Sequence, residues 1–371
     1  MTFSKGLDGV VVDATAISNV EGDIGRLTYR GYAIEELVEQ DYISVAWLVL
    51  FGEFPSTPQR NELNDFLLTH AHLTHRELKI LTTLGRELHS MQMLQAMIPL
   101  LEPGVVQFAG LDAEAARGLA IIARIPEIIA AWYCLQNDRK FVPDESPDYL
   151  QRFLSMFTGE RPGAEALHIL KVVQILQMEH SFNAGTFATM CVSSTLAPVE
   201  SVLSAGVGAL AGKLHGGADE AALEDARRVG SPESAAGFIR QLLAEKGKLM
   251  GMGHREYRVV DPRAVILKPL AERASRDTEQ EVLFKTLEAM EASFNAAMKE
   301  KGKEVWANLE FYKGPAYEVV GIPSDYFTAV FAMSRAIGWL AHFIETRADN
   351  RIFRPRAEYT GPAYRTLKSQ A

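Results

Sequence analysis

The chain has 371 residues, 47% hydrophobic and 23% charged, with 28 glycines and 16 prolines, the composition of an ordinary globular protein long enough for one large or two ordinary domains. Its formal net charge of −9 and the lack of a sustained Lys/Arg stripe exclude a nucleic-acid partner, because phosphate backbones bind basic faces. An anionic small molecule would need a local basic cluster.

The N-terminal run from Met1 to Leu7 has neither an apolar signal core nor an Arg-rich transit pattern, so the expected location is the cytoplasm. Cys134 and Cys191, the only two cysteines, lie among apolar residues. That argues for free thiols in a reducing compartment rather than a disulfide framework or thiolate metal site.

Val10 to Gly31 mixes β-branched residues with Asn19, Gly22, Asp23 and Gly25, which predicts short strands and a hairpin-like turn. From there the dominant period is helical, over Ile34–Leu50, Gln59–Leu68, Arg76–Leu88 and Ala113–Leu135. Clusters such as Pro55-Ser56-Thr57-Pro58 and Gly159-Glu160-Arg161-Pro162-Gly163 punctuate these runs. Three apolar stretches are interrupted by Arg124 to Glu127, by Glu200 and by Arg335, so none reads as a membrane span.

No repeated alternation of strand, Gly-rich turn and helix follows, so the expected fold is mainly α with short N-terminal strands. Between Ala221 and Lys303 the chain becomes more charged before returning to apolar helix at Tyr326. This predicts a large helical domain (1–220 and 321–371) with a smaller helical domain (221–320) inserted near the C-terminal third.

Four segments place chemistry-bearing side chains beside glycines or inside apolar helix. His180, in Glu179 to Phe187, follows the amphipathic run Ile169–Met178; a lone histidine there is more often a satisfied core residue. His215 precedes Gly216 and Gly217, a pattern that suits close approach of a ligand or, equally, a plain helix C-terminus. Met250-Gly251-Met252-Gly253-His254-Arg255 leads into Asp261-Pro262-Arg263; its G-x-G lacks a preceding strand and Rossmann spacing, leaving a loop that offers backbone amides. Arg335 sits mid-way along an apolar helix, where a guanidinium is costly unless a protein carboxylate or an anionic ligand meets it.

Together these segments resemble the citrate synthase family. The family's strings His-x-x-Asn-Ala-Ser-Thr, His-Gly-Gly-Ala-Asn-Glu, Gly-x-Gly-His-Arg with Asp-Pro-Arg, Asn-Val-Asp-Phe-Tyr and Arg-Pro-Arg-Ala have counterparts in the same order between His180 and Tyr359. The openings Gly6 to Val10 and Gly25 to Gly31 resemble the family's N-terminus, so the likeness covers essentially the whole chain.

The resemblance implies condensation of acetyl-CoA, or another short acyl-CoA, with oxaloacetate, as in the tricarboxylic acid cycle. A carboxylate base removes a methyl proton while a histidine donates to the thioester oxygen. By that likeness Glu310 is the base, His215 the thioester donor and His254 the group that polarises the ketone. His180, Arg263, Arg335 and Arg354 bind oxaloacetate through its carboxylates, with Arg354 reaching across a homodimer. Met250, Gly251, Met252 and Gly253 contact CoA. No cofactor, metal, nucleic acid or membrane is implied, the CoA thioester being a substrate.

Three departures from the family strings bear on the chemistry. Glu310 stands for Asp, one methylene longer. Gly185 stands for Ser, which removes a hydroxyl expected to orient the donor histidine, and Asp219 stands for Asn, adding an anion that favours protonated histidine. These departures keep two alternatives open: a 2-methylcitrate synthase using propionyl-CoA, and a weakly active homologue that binds dicarboxylate or CoA as a regulator.

Overall fold

The computed structural model describes residues 4–366, without the side chains of Ala218 and Asp219. Strands β1 (Ser18–Glu21) and β2 (Arg26–Tyr29) form the expected antiparallel hairpin, Ser18 opposite Tyr29 and Glu21 opposite Arg26, and β3 (Tyr32–Ala33) adds to β2. Its turn is pressed against the segment after His254. Arg258 N donates to Gly22 O at 2.9 Å, and a Cβ at Gly22 would lie 2.0 Å from Glu256 O, so only glycine permits the approach.

The helix expected over Ile34–Leu50 is two helices, α1 (Ile34–Leu37) and α2 (Tyr42–Phe51). The apolar period runs through the break, but Asp41 is extended and accepts from Ser44 N at 3.1 Å, starting a new helix. Next come α3 (Thr57–His70), α4 (His75–Thr83) and α5 (Ser90–Met97). The reading of Arg76–Leu88 as helix therefore overran, because Leu84 turns extended (ψ 148°) ahead of Gly85.

The core is built on α6 (Ala113–Gln136), α7 (Tyr149–Thr158), α8 (Ala164–Gln177), α9 (Ala184–Ser193) and α10 (Val199–Leu210), together with the C-terminal helix. The charged stretch folds as α11 (Ala218–Val229), α12 (Ala235–Ala244), α13 (Pro262–Ser275), α14 (Glu281–Glu300) and α15 (Leu309–Val319). The last helix, α16 (Phe327–Ala348), packs on α2, α6, α8, α9 and α10.

With 59% helix and 3% strand the chain is mainly α, as expected. Helices α6 and α16 are long and apolar enough to cross a membrane, yet 89% and 94% of their apolar windows are buried inside the protein. They are its core.

Candidate active site

Three helix N-termini carry the site, and each is capped by a polar side chain that also orders a neighbour. Asn183 caps α9, its Oδ1 accepting from Gly185 N at 3.0 Å and Thr186 N at 3.1 Å. Asp261 caps α13 ahead of Pro262 by accepting from Arg263 N at 2.9 Å, and Asn308 caps α15 by accepting from Glu310 N at 3.0 Å. Helix N-termini favour anions. Asp261 Oδ2 also accepts from Leu309 N at 3.4 Å, tying α13 to α15.

The G-x-G loop fixes the height of α15. Met252 pairs with Ala307 in an antiparallel bridge, flanked by Gly253 N to Trp306 O (2.7 Å) and Asn308 N to Gly251 O (2.9 Å). Asn308 Nδ2 donates to Gly253 O at 3.0 Å. Gly251 and Gly253 have φ of 79° and 84°, and a Cβ on Gly251 would stand 3.0 Å from Phe311. The loop therefore clamps the helix that presents Glu310.

The histidines meet from three directions. His180 and His254 rings lie 5.2 Å apart in an edge contact, and Tyr257 touches both, its hydroxyl 3.1 Å from His180 Nε2. His254 Nδ1 faces the backbone N–H groups of Glu256 (3.0 Å) and Tyr257 (3.3 Å). Two donors on Nδ1 leave the neutral ring its proton on Nε2. The 3.4 Å approach of Arg263 Nη2 to that nitrogen is then two donors side by side, not a hydrogen bond. His254 thus has an N–H to offer a ligand. His215 Nε2 lies 3.2 Å from Asn183 Oδ1, which brings the second donor candidate to the head of α9.

Arg263 and Arg335 supply the local basic cluster in an acidic protein. Arg263, 3% exposed, makes a fork with Asp261, Nε to Oδ1 at 3.0 Å and Nη2 to Oδ2 at 2.8 Å. Burial opposes its charge, but Asp261 overrides that and raises its pKa. Arg335 is 1% exposed and has no carboxylate within 4 Å among the described residues. Its Nε donates to Gln177 O at 2.6 Å and its guanidinium stacks over Phe331 at 4.7 Å. Burial lowers its pKa to about 10, with Glu179 pulling the other way. A buried guanidinium without an ion pair fits an anionic ligand better than a structural role.

Glu310 completes the cluster: its carboxylate favours the charged forms of His215, His254, Arg263 and Arg335 alike. Burial, with Arg335, pushes His215 down to about 4; burial, with Arg263, does the same to His254; and burial takes His180 well below its ordinary value. The unfolded chain therefore binds more protons than the folded one between about pH 6.5 and 4. Stability from these rings is complete above that window and lost as pH falls through it. Urea unfolding is expected to show this fall, and His254→Gln to make it shallower; equal acid sensitivity in both proteins would contradict the assignment.

Of the residues expected from sequence, His180, His215, His254, Arg263, Glu310 and Arg335 come together. Arg354 does not join them within one chain: it is exposed and its Nη1 donates to Pro355 O at 2.7 Å. The side chain of Asp219 lies outside the described residues. Sequence reasoning missed Asn183, Tyr257 and Asp261 as partners of the histidines and Arg263. Asp before Pro at a helix start was a readable cap signal; for Tyr257 there was none.

A family profile described as citrate synthase, C-terminal domain, matches residues 6–356. The chain belongs to the citrate synthase family. It is 34% identical to a citrate synthase of Synechocystis over 97% of this chain and 91% of that one. It is also 34% identical to 2-methylcitrate synthase 2 of Corynebacterium glutamicum, covering 98% and 96%. The crystal structure of citrate synthase from Thermotoga maritima superposes with a TM-score of 0.89 at 31% identity, covering 99% and 98%. A ternary complex of Thermoplasma acidophilum citrate synthase with carboxymethyl coenzyme A and oxaloacetate gives 0.92 at 28% identity, covering 100% and 99%. Citrate synthase family members are condensing transferases, and this chain is one of them.

Proposed function

We infer that the chain condenses a short acyl-CoA with oxaloacetate and releases free CoA. The carrying observation is the convergence of His215, His254 and Glu310 on the two buried guanidiniums of Arg263 and Arg335. Oxaloacetate's carboxylates take the place of the missing anion at Arg335 and lie against Arg263, beside His180. Glu310 removes a proton from the acyl α-carbon while His215 passes one to the thioester oxygen, giving an enol whose hydroxyl proton returns to His215 as the carbonyl reforms. The enol carbon attacks the ketone, whose oxygen takes the proton of His254 Nε2. Water then cleaves the thioester, leaving the free thiol and a tricarboxylic acid.

Arg354 acts in the partner's site of a homodimer, a reading supported by its match to the family string and by its exposure outside its own cluster. CoA lies along the loop Met250–Gly253, a reading supported by the match to the family string and by the bridge at Met252, which turns that residue's carbonyl away from Ala307 and leaves it free of the pairing. The 221–320 lobe closes over the bound dicarboxylate and shields the enol from water. The enzyme works in the cytoplasm without a cofactor, on the tricarboxylic acid cycle reaction.

A second reading, propionyl-CoA as substrate, is supported by the equal identity to the 2-methylcitrate synthase relative. One methylene shifts discrimination only by about 10- to 200-fold. Thiol release with acetyl-CoA and with propionyl-CoA tests both: kcat/KM higher for one ester, and dependent on oxaloacetate, assigns the substrate. No release with either would leave only the binding-protein alternative.

A further inference from the structure

The residue that orients His215 is Asn183, and its chemistry differs from that of a hydroxyl. The Asn183 amide has one possible orientation, since Oδ1 accepts from two backbone N–H groups while Nδ2 donates to Thr186 Oγ1 (2.9 Å), Ser181 O (3.2 Å) and His180 O (3.4 Å). Turning the amide over would set donors against donors. The atom 3.2 Å from His215 Nε2 is therefore an acceptor, and the ring must donate to it.

Nothing at position 185 offers a competing donor. A Cβ added to Gly185 would lie 3.4 Å from His215 Nε2, 3.3 Å from Asn183 Oδ1 and 3.3 Å from Trp339 Nε1. The buried Trp339 N–H has no acceptor among the described residues. A serine hydroxyl there would accept from Trp339 and donate to His215 Nε2, moving the imidazole proton to Nδ1. Glycine removes that relay.

We propose that Asn183 is the positioning residue that locks His215 with its proton on Nε2, so that the ring can donate to the thioester oxygen from Nδ1 only after taking up a second proton. The proposal deepens the reading of His215 as thioester donor and rests on it. The charged groups facing the ring are Arg335 of α16 and Arg263 of α13, which oppose that second proton, and Glu310 of α15, which favours it. With burial holding the pKa at about 4, about one ring in a thousand is doubly protonated at pH 7. The donor step should then gain about tenfold in rate for each pH unit of acidification.

Protein labelled with nitrogen-15 in its histidine rings, with His215 assigned by loss of its signals in His215→Gln, reports the tautomer by long-range proton–nitrogen correlation. The expected result at pH 7 is a protonated Nε2 and a bare Nδ1. In parallel, kcat of the wild type should rise about tenfold per unit from pH 8 towards 6. Gly185→Ser should carry its proton on Nδ1, flatten that profile and exceed the wild-type kcat at pH 8 about tenfold, with KM for oxaloacetate unchanged within about twofold. A wild-type ring protonated on Nδ1, or the same pH profile in both proteins, would overturn the proposal. Absence of oxaloacetate-dependent thiol release would instead fail the functional reading, with the tautomer still readable by resonance.

Discussion

Replacing His215 or His254 by alanine is expected to lower kcat by about 10²–10⁴, the usual share of a positioned proton donor. His215 faces Asn183 Oδ1 and the Glu310 field; His254 takes two backbone N–H groups on Nδ1 and offers Nε2–H. The two variants should differ in how the loss is distributed. His254 borders Arg263 and His180, so its loss should also raise KM for oxaloacetate. His215→Ala should leave that KM nearly unchanged. Neither side chain is part of the apolar core, and both variants should unfold at urea concentrations close to wild type. Turnover within tenfold of wild type in either variant would remove that residue from the mechanism.

Glu310→Gln should reduce kcat by about 10³ while oxaloacetate binding survives, because the amide keeps the shape and loses the proton acceptor. The neighbouring guanidiniums retain their own supports, the Asp261 fork for Arg263 and Gln177 O for Arg335. Glu310→Asp is the sharper variant. The head of α15 cannot slide to meet a shorter side chain, since Asn308 N is bonded to Gly251 O and Phe311 is packed against the Gly251 backbone. A carboxylate drawn back by about 1 Å costs on the order of a hundredfold, so the aspartate enzyme should be slower than wild type even though it restores the family string. Glu310→Gln releasing thiol at the wild-type rate would assign the base elsewhere.

The fold class was legible in sequence because helical period dominates from Ile34 onward and the N-terminal hairpin carries its own turn residues. The helix ends were less so. Asp41 and Leu84 break runs whose apolar spacing continues unbroken, and only the backbone geometry there separates α1 from α2 and ends α4 at Thr83. His215, His254 and Arg263 were readable as motifs with glycine or proline beside them and Arg335 as a charge inside an apolar helix, whereas Glu310 came only from the family resemblance. Their partners were not readable: Asn183 turns out to cap α9, and its contact with His215 joins residues 32 positions apart. The loop Met250–Gly253 carried a reading for CoA, and its second task, clamping α15, follows from a bridge to Ala307 that no local pattern encodes.

Enolisation at this site is tested most directly by supplying oxaloacetate with the preferred acyl-CoA fully deuterated at its α-carbon and weighing the products. The expected product is a tricarboxylic acid that has lost one α-deuteron and kept the others, formed together with free thiol. Glu310→Gln should form almost none of it. Release of thiol with a free acid that keeps every α-deuteron, and no carbon–carbon product, would mean simple thioester hydrolysis and would contradict the account.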